Sequence, residues 1–131
     1  MDADVAGEGE HKIFQWLRNY GLDVREKTMV VYGLDSDLIM LALEHISYTP
    51  QLYLFRETPH FIRSIDKTLD PETSYVLNIP EFACLLKEKI GENRIQDYIF
   101  LSFFLGNDFI PHSPSLNIRT HGIDVLWGIY K

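Results

Sequence analysis

The sequence predicts an α/β protein with a mostly parallel sheet flanked by helices. Short β-branched or alternating apolar runs alternate with stretches of helical apolar spacing, and glycines or prolines separate them. The order helix, strand, helix, strand in the first half is typical of a βαβ crossover. With 131 residues, 46% of them hydrophobic, the chain can build one core, so we expect a single domain over residues 1–131.

The first half of the chain supplies the clearest elements. Apolar residues at helical spacing predict a helix over residues 9–20, which a glycine ends. The run TMVVYG (28–33) predicts a buried strand, and the run SDLIMLALEH (36–45) predicts a buried helix. The alternating run QLYLFRE (51–57) predicts a second strand.

The second half begins with a segment of turn residues. Residues 58–74 contain two prolines and several Ser and Thr, which predicts a loop or an insertion. A third strand is expected over residues 75–79, followed by a helix with Pro80 in its first turn. Two more helices are predicted over residues 94–105 and 116–131.

The composition restricts the cellular compartments and the kinds of partner that we expect for this protein. The single cysteine, Cys84, excludes an intrachain disulfide and suits a reducing compartment. The longest apolar run, residues 98–105, is too short to span a bilayer, and no leader-like segment precedes the first motif. We therefore expect an intracellular protein, cytoplasmic or nuclear, without a membrane partner.

Two aspartates follow the first predicted strand. If that strand continues through Asp35 and Asp37, alternation places both on one face, roughly 6.6 Å apart. Ligands bind at the carboxyl ends of strands in open α/β sheets, so the position suits a site. Asp37 also opens a predicted helix, and N-capping is the simpler interpretation of the pair when it is taken alone.

The segment GEGEHK (7–12) places two glutamates two residues apart at the start of a helix. Such residues inside one helix point to nearly opposite sides, so the helix must begin between Glu8 and Glu10 if both are to face one ion. Gly7 and Gly9 permit that bend. A flexible helix entry, with acids favoured by the helix dipole, explains the segment equally well.

A third acidic position follows an apolar helix in the segment GNDF (106–109). Gly106 or Asn107 can adopt the left-handed conformation that ends a helix, which directs Asp108 outwards at a fixed angle. Its apolar neighbours predict a place near the core, where a carboxylate needs a metal or a basic partner. Pairing with an arginine and capping of a turn are the alternatives.

Taken together, these acids predict a site for two divalent cations. Carboxylate oxygens suit Mg²⁺ or Mn²⁺, and no cluster of Cys and His competes as a zinc site. Two such ions about 3.5–4 Å apart support hydrolysis of a phosphodiester. The net charge of −7 argues against a nucleic acid as the partner. If the five predicted ligands bind metal ions, 14 of the 19 acidic residues remain, against 12 basic residues, so the rest of the chain is close to neutral. The predicted ligands are Glu8, Glu10, Asp35, Asp37 and Asp108.

Four motifs, in order, resemble a known family. GEGEHKI, YGLDSDLIMLAL, LFRE and FFLGNDFIPHSPSLNIR followed by GIDVLWGIYK are similar to the catalytic core of the XRN 5′→3′ exoribonucleases. That family belongs to the flap-endonuclease-like, or PIN-like, nucleases. The resemblance covers residues 7–131 and is weakest between residues 58 and 74.

The resemblance implies an activity and a set of roles. It implies that the five carboxylates are catalytic ligands of two Mg²⁺ (or Mn²⁺) ions, and that His11 and Asn107 support them. The implied substrate is single-stranded RNA with a 5′-monophosphate, shortened by one nucleotide at a time. A flap-type structure-specific DNA nuclease and a non-catalytic remnant that serves as a binding or scaffold module are the alternatives.

The resemblance also implies a partial core. Family members carry a segment before GEGEHK that holds an opening strand, two further acids and a basic pocket for the 5′-phosphate, and they carry a long C-terminal extension. We therefore expect a nuclease core that is incomplete at its N-terminus and whose partner is the missing segment of the same nuclease. We expect the isolated chain to bind Mg²⁺ weakly and to degrade RNA slowly or not at all.

Overall fold

The computed structural model describes residues 6–58, 62–107, 110–116 and 121–130. The chain divides into two compact units, residues 1–82 and residues 83–131. The single-domain prediction stays a prediction. The elements, in chain order, are α1 (Gly9–Tyr20), β1 (Met29–Tyr32), α2 (Leu38–His45), β2 (Leu52–Arg56), α3 (Ile62–Ile65), β3 (Tyr75–Asn78), α4 (Ile79–Ile90), α5 (Ile95–Phe103) and α6 (Gly122–Tyr130).

The three strands form one mixed sheet in the order β1-β2-β3, which confirms the α/β prediction. Strands β1 and β2 are parallel, with Val31 opposite Leu54, because α2 carries the chain back across the sheet. Strand β3 runs antiparallel to β2, with Leu54 opposite Leu77. Among its described residues, the connection between β2 and β3 contains only the one-turn helix α3 and no helix that crosses the sheet. Strand β3 therefore starts at the end of the sheet where β2 stops and runs in the opposite direction.

One face of the sheet carries the core of the first unit. Helix α1 packs on α2, and α2 packs on β2. The opposite face stays open, since Val30 and Tyr32 are each 57% exposed. The buried side chains of the covered face and its helices include Phe14, Leu17, Val31, Ala42, Leu43, Leu52 and Leu54.

The segment 58–74, for which a loop or an insertion is predicted, contains helix α3 among its described residues, and the Thr58 hydroxyl links its ends by donating to the Thr73 carbonyl at 2.7 Å. That prediction stays a prediction. The last helix, predicted from residue 116, begins at Gly122, because Leu116 still belongs to a turn in which its N–H bonds to the Ser113 carbonyl at 2.9 Å. None of the helices within the described ranges is long and apolar enough to cross a bilayer.

The second unit is built on α5 and α6, which pack against each other. The guanidinium of Arg94 lies 5.9 Å from the centres of the Trp127 and Tyr130 rings, a cation–π arrangement. A turn follows α5, in which the Asn107 side-chain oxygen accepts a bond of 2.7 Å from the N–H of Ile110. Asn107 is thus hydrogen-bonded to Ile110 beyond the end of α5.

Gly106 is a position where we expect a large effect from one methyl group. Its φ is +93°, and an added Cβ would lie 2.8 Å from the backbone nitrogen of His112. Backbone strain of this kind costs about 1–3 kcal/mol, so Gly106→Ala should lower the free energy of unfolding by about 2 kcal/mol. Urea unfolding followed by circular dichroism measures it.

Gly128→Ala is the matched control for this substitution. Gly128 lies within α6 and has open space around the added Cβ, so alanine should raise stability by roughly 0.5–1 kcal/mol through helix propensity. Equal effects of the two substitutions would contradict the strain at Gly106.

Candidate metal centre

Three carboxylates converge within the first unit. One oxygen atom from each of Glu10, Asp35 and Asp37 can be chosen so that all three lie within 4.8 Å of one another. Glu10 lies in the first turn of α1, and the two aspartates lie in the connection from β1 to α2. Glu10 and Asp37 are partly buried, whereas Asp35 is exposed. The group could hold a metal ion, and we call it the acidic cluster.

The route by which the two aspartates come together differs from simple strand alternation. Strand β1 ends at Tyr32, so residues 33–37 form a non-strand connection that turns both side chains towards Glu10. Asp37 precedes α2 with φ −73° and ψ −15°, and its side chain makes no capping hydrogen bond. The N-capping alternative is therefore not what the structure shows, and this carboxylate belongs to the acidic cluster.

The position at which α1 begins explains how the side chains of the two glutamates can approach each other. The helix begins at Gly9, between Glu8 and Glu10, after Gly7 with φ +106°. Positive φ is a conformation that glycine adopts without steric cost. Because α1 and α2 both begin beside the acidic cluster, the positive ends of their dipoles partly offset its negative charge.

The offset is incomplete, because the surroundings of Glu10 raise the pKa of its carboxyl group. Partial burial raises the pKa of Glu10, and the charges of Asp37, Glu8 and Asp35 raise it further. A hydrogen bond between the Glu8 and Glu10 side chains acts in the same direction. Carboxylates crowded in this way favour either a shared proton or a bound cation.

The sequence also predicts site residues outside this group of three carboxylates. Glu8 contacts Glu10 but is not part of the group of three, so its role as a ligand stays a prediction. His11 is exposed in the first turn of α1, and its supporting role also stays a prediction. Asp108 lies outside the described residues, which leaves its place relative to the acidic cluster as a prediction.

A hydrogen-bonded pair that the sequence did not indicate, exposed Arg18 and buried His45, joins α1 to α2. Arg18 Nη1 lies 2.6 Å from His45 Nε2, and His45 Nδ1 lies 2.7 Å from the Leu41 carbonyl oxygen. Arginine only donates and a carbonyl only accepts, so the imidazole is neutral and carries its proton on Nδ1. The pair lies in the last turns of helices whose first turns lie beside the acidic cluster, so it fixes how the two helices meet.

The pair predicts a pH dependence of stability. Burial is the largest effect on the pKa of His45 and lowers it. The hydrogen bond to the Leu41 carbonyl opposes burial, the charge of Arg18 lowers the pKa further, and Glu44 has the smallest effect, which raises it. A histidine with a lowered pKa contributes stability that is fully present above about pH 6.5, its unfolded value, and is lost as pH falls through the folded value. We expect stability to fall between pH 7.5 and 5.5.

Urea unfolding of His45→Gln across the same pH range tests this expectation. The variant should lose less stability than the unchanged chain, because glutamine has no proton to gain. His112→Gln is the control, since His112 is exposed and should leave the slope unchanged. Parallel slopes for all three proteins would contradict the role of His45.

Comparisons with known proteins identify similar sequences. A family model described as the XRN 5′-3′ exonuclease N-terminus matches residues 1–58, and one described as the Xrn1 helical domain matches residues 89–131. Residues 59–88 lie outside both matches.

Individual relatives extend the match over nearly the whole chain. A 5′-3′ exoribonuclease 2 of Cryptococcus neoformans is 34% identical over 179 aligned positions, which cover 99% of this chain and 15% of that protein. A 5′-3′ exoribonuclease 1 of Schizosaccharomyces pombe is 35% identical over 149 positions, covering 98% of this chain and 11% of that protein. The chain thus spans between a tenth and a sixth of the length of these relatives.

Proposed function

Because the chain belongs to the XRN family of 5′→3′ exonucleases, we propose that it forms part of the catalytic core of a 5′→3′ exoribonuclease. The convergence of Glu10, Asp35 and Asp37 carries the proposal. The substrate is single-stranded RNA with a 5′-monophosphate, and the place of action is the cytoplasm or the nucleus.

The donor set fits a hard divalent cation. All three members are carboxylates, whose oxygens are preferred by Mg²⁺ and Mn²⁺. We propose that Glu10, Asp35 and Asp37 hold one ion, and that Glu8 and Asp108 help to hold a second. Bound divalent cations supply the positive charge that stabilises the developing negative charge of phosphodiester hydrolysis.

The residues of this chain hold and orient that charge. Glu10 and Asp37 are partly buried and stand at the starts of two packed helices, so their carboxylates have little freedom. Asp35 is exposed, so its carboxylate is accessible to a ligand from solvent. Preorganised ligands reduce the reorganisation that the reaction would otherwise require.

Recognition of the RNA backbone requires positive charge, whereas this chain is acidic overall. Its net charge is −7, and RNA-binding surfaces are basic. The relatives are several times longer than this chain. We propose that the part of the nuclease that corresponds to the rest of their length holds the 5′-phosphate of the RNA. The chain alone should therefore degrade RNA slowly or not at all.

A chimaera tests the proposal without depending on the isolated chain. This chain would replace the matching segment of the S. pombe relative, and digestion of 5′-monophosphorylated RNA would be followed with Mg²⁺. We expect release of nucleoside monophosphates from the 5′ end, and a loss of at least about 100-fold when Asp37→Asn is added.

Three controls accompany the chimaera. The unchanged relative establishes the assay, circular dichroism establishes that each chimaera is folded, and flapped DNA tests the alternative substrate. A folded chimaera that is no faster than its Asp37→Asn form would contradict the proposal, and so would preference for flapped DNA.

A further inference from the structure

Helices α1 and α2 meet at both of their ends. They begin beside the acidic cluster, where Glu10 lies close to Asp37, and they end at the hydrogen bond between Arg18 and His45. The two helices therefore run in the same direction. Arg18 follows Glu10 by eight positions, and His45 follows Asp37 by eight positions, which corresponds to about 12 Å of helix in each case.

One side of α1 connects the acidic cluster to this hydrogen bond. Residues at i, i+4, i+7 and i+8 lie on one side of a helix, which is the spacing of Glu10, Phe14, Leu17 and Arg18. Phe14 and Leu17 are buried, and the ring of Phe14 contacts the imidazole of His45. The side of α1 that meets α2 thus carries a carboxylate at its start, apolar contacts in its middle and a directed hydrogen bond at its end.

The hydrogen bond fixes a position that apolar packing alone leaves adjustable. Apolar contact is non-directional, and packed helices shift by about 1–2 Å between alternative arrangements. The bond to Arg18 is made by one atom, Nε2 of His45, and the Leu41 carbonyl holds the other ring nitrogen. From its length of 2.6 Å, a shift of α1 by more than about 1 Å would stretch it beyond the range of a hydrogen bond.

We propose that Arg18 and His45 are positioning residues for the metal centre, and that protonation of His45 releases the position they hold. Their hydrogen bond keeps α1 in the place on α2 that brings Glu10 to the two aspartates. The proposal rests on the proposed function, since it assumes that the acidic cluster holds a cation. Functional side chains must be held within about 0.5 Å of their working geometry, so a shift of the whole helix is enough to weaken cation binding.

Protonation of His45 breaks the hydrogen bond because it removes the acceptor. An imidazolium ion carries an N–H on both ring nitrogens and cannot accept from arginine. Its positive charge also faces the guanidinium of Arg18 and repels it. Cation binding and protonation of His45 therefore oppose each other, and by linkage each weakens the other by the same factor.

The charged and titratable groups around His45 can be named for each element of the described chain that packs on α2. From α1, Arg18 acts on His45, and Glu44 of α2 acts on it more weakly. The ring of Tyr48, in the turn after α2, lies 5.8 Å from that of His45, centre to centre. Strand β2 has one charged residue, Arg56, at the carboxyl end, where α2 begins rather than ends. The charge that acts most on His45 is thus that of Arg18.

Mn²⁺ titration of the whole 131-residue chain at pH 7.5 tests the positioning role. Arg18→Met keeps a long side chain without a donor, and it should lower the affinity about fivefold or more. Loss of a positive charge would by itself raise the affinity for a cation, so a decrease reports on the position of the helix. Arg25→Met is the matched control, since Arg25 is exposed and lies outside α1, and it should cause no decrease.

Two substitutions of His45 separate the acceptor from the rest of the side chain. His45→Leu fills the buried site without an acceptor and should lower the affinity for Mn²⁺ as much as Arg18→Met does. His45→Gln retains a side-chain acceptor that has no proton to gain, so it should keep most of the affinity at pH 7.5. Circular dichroism and urea unfolding give the folded fraction by which each affinity is corrected.

The pH profile of the affinity isolates the proton on His45. Between pH 7.5 and 5.5, the affinity of the unchanged chain for Mn²⁺ should fall more steeply than that of His45→Gln. Both proteins share the protonation of the carboxylates, and only the unchanged chain also gains a proton on His45. His112→Gln, at an exposed position, should follow the unchanged chain.

Nuclear magnetic resonance of the His45 imidazole measures the same coupling from the other end. Saturating Mg²⁺ should lower the pKa of His45 in the unchanged chain, because the bound cation favours the neutral, hydrogen-bonded ring. The charge of the cation acting through space would lower the pKa of His45 in Arg18→Met as well. We expect the effect to be lost in that variant.

Four results would each overturn the proposal: equal affinities of Arg18→Met and Arg25→Met, parallel pH profiles of the unchanged chain and His45→Gln, an effect of Mg²⁺ on His45 that persists in Arg18→Met, or no binding of Mn²⁺ by the unchanged chain. The first three leave the acidic cluster as a metal centre and remove only the positioning role. The chimaera judges the proposed function separately, since its readout is digestion of RNA.

Discussion

Replacing Asp37 by asparagine should strongly weaken the binding of divalent cations and, in the same protein, stabilise the metal-free chain. Two unit negative charges 4.8 Å apart repel by roughly 1 kcal/mol in water and by about 3 kcal/mol at an effective dielectric constant of 20. Asparagine keeps the shape of the side chain and removes the charge. The free energy of unfolding in EDTA should therefore rise by about 0.5–1 kcal/mol, allowing for the solvent exposure of the acidic cluster.

The same substitution should lower the affinity for Mn²⁺ at least about 100-fold. Loss of a residue that merely supports a metal ligand typically costs 10–100-fold, so loss of a ligand should cost more. Urea unfolding in EDTA gives the stability, and electron paramagnetic resonance of free Mn²⁺ gives the affinity.

Asp23→Asn is the matched control, since Asp23 is exposed and lies outside the acidic cluster. It should leave the affinity for Mn²⁺ unchanged and move stability by less than about 0.5 kcal/mol. If Asp37→Asn destabilises the metal-free chain while Mn²⁺ still binds, Asp37 serves only the local fold.

Phe14→Ala should produce the largest loss of stability in the first unit. Phe14 is 1% exposed in α1, and its ring centre lies 4.8 Å from that of His45 in α2. Removing a buried phenylalanine costs about 3–5 kcal/mol through lost burial and the cavity that remains. Since whole domains are stable by only about 5–15 kcal/mol, this one substitution should remove a large part of the free energy of unfolding.

This substitution also tests whether the core positions the acidic cluster. Phe14 holds α1 against α2, and α1 carries Glu10, so Mn²⁺ affinity should fall together with stability although no carboxylate is changed. Urea unfolding gives the fraction of folded molecules, and the Mn²⁺ affinity measured by titration is corrected for the unfolded fraction. Gln15→Ala, at an exposed position of the same helix, should change stability by less than about 0.5 kcal/mol. A loss in Phe14→Ala no greater than in Gln15→Ala would contradict the packing of α1 on α2.

The elements of the fold were predictable where periodicity was strong. The spacing of apolar residues indicated α1 to within its observed ends, because Gly9 and Gly21 bound a single amphipathic stripe. The direction of β3 was not predictable, since strand direction depends on whether the preceding connection crosses the sheet. The start of α6 at Gly122 was also missed, because apolar residues at helical spacing already begin at Leu116, which lies in a turn.

The sequence predicted which acidic residues belong to the acidic cluster, but it predicted only part of the geometry that brings them together. Residue type and position after a strand indicated Asp35 and Asp37, and the glycines indicated that a helix begins between the two glutamates. The sequence pattern could not show that β1 ends before Asp35, and that the connection from β1 to α2 brings the two aspartates close to Glu10. The pair of Arg18 and His45 gave no signal, since the two residues are 27 positions apart and meet only after α1 packs on α2.

Paramagnetic broadening by Mn²⁺ tests the central claim most directly, namely that side chains from two separate stretches converge on one divalent cation. The experiment adds substoichiometric Mn²⁺ to the 15N-labelled chain and records which amide signals broaden. We predict selective broadening around residues 8–11 and 33–38, abolished when Glu10→Gln, Asp35→Asn and Asp37→Asn are combined. Broadening that follows other surface acids, or that survives the triple substitution, would contradict the convergence.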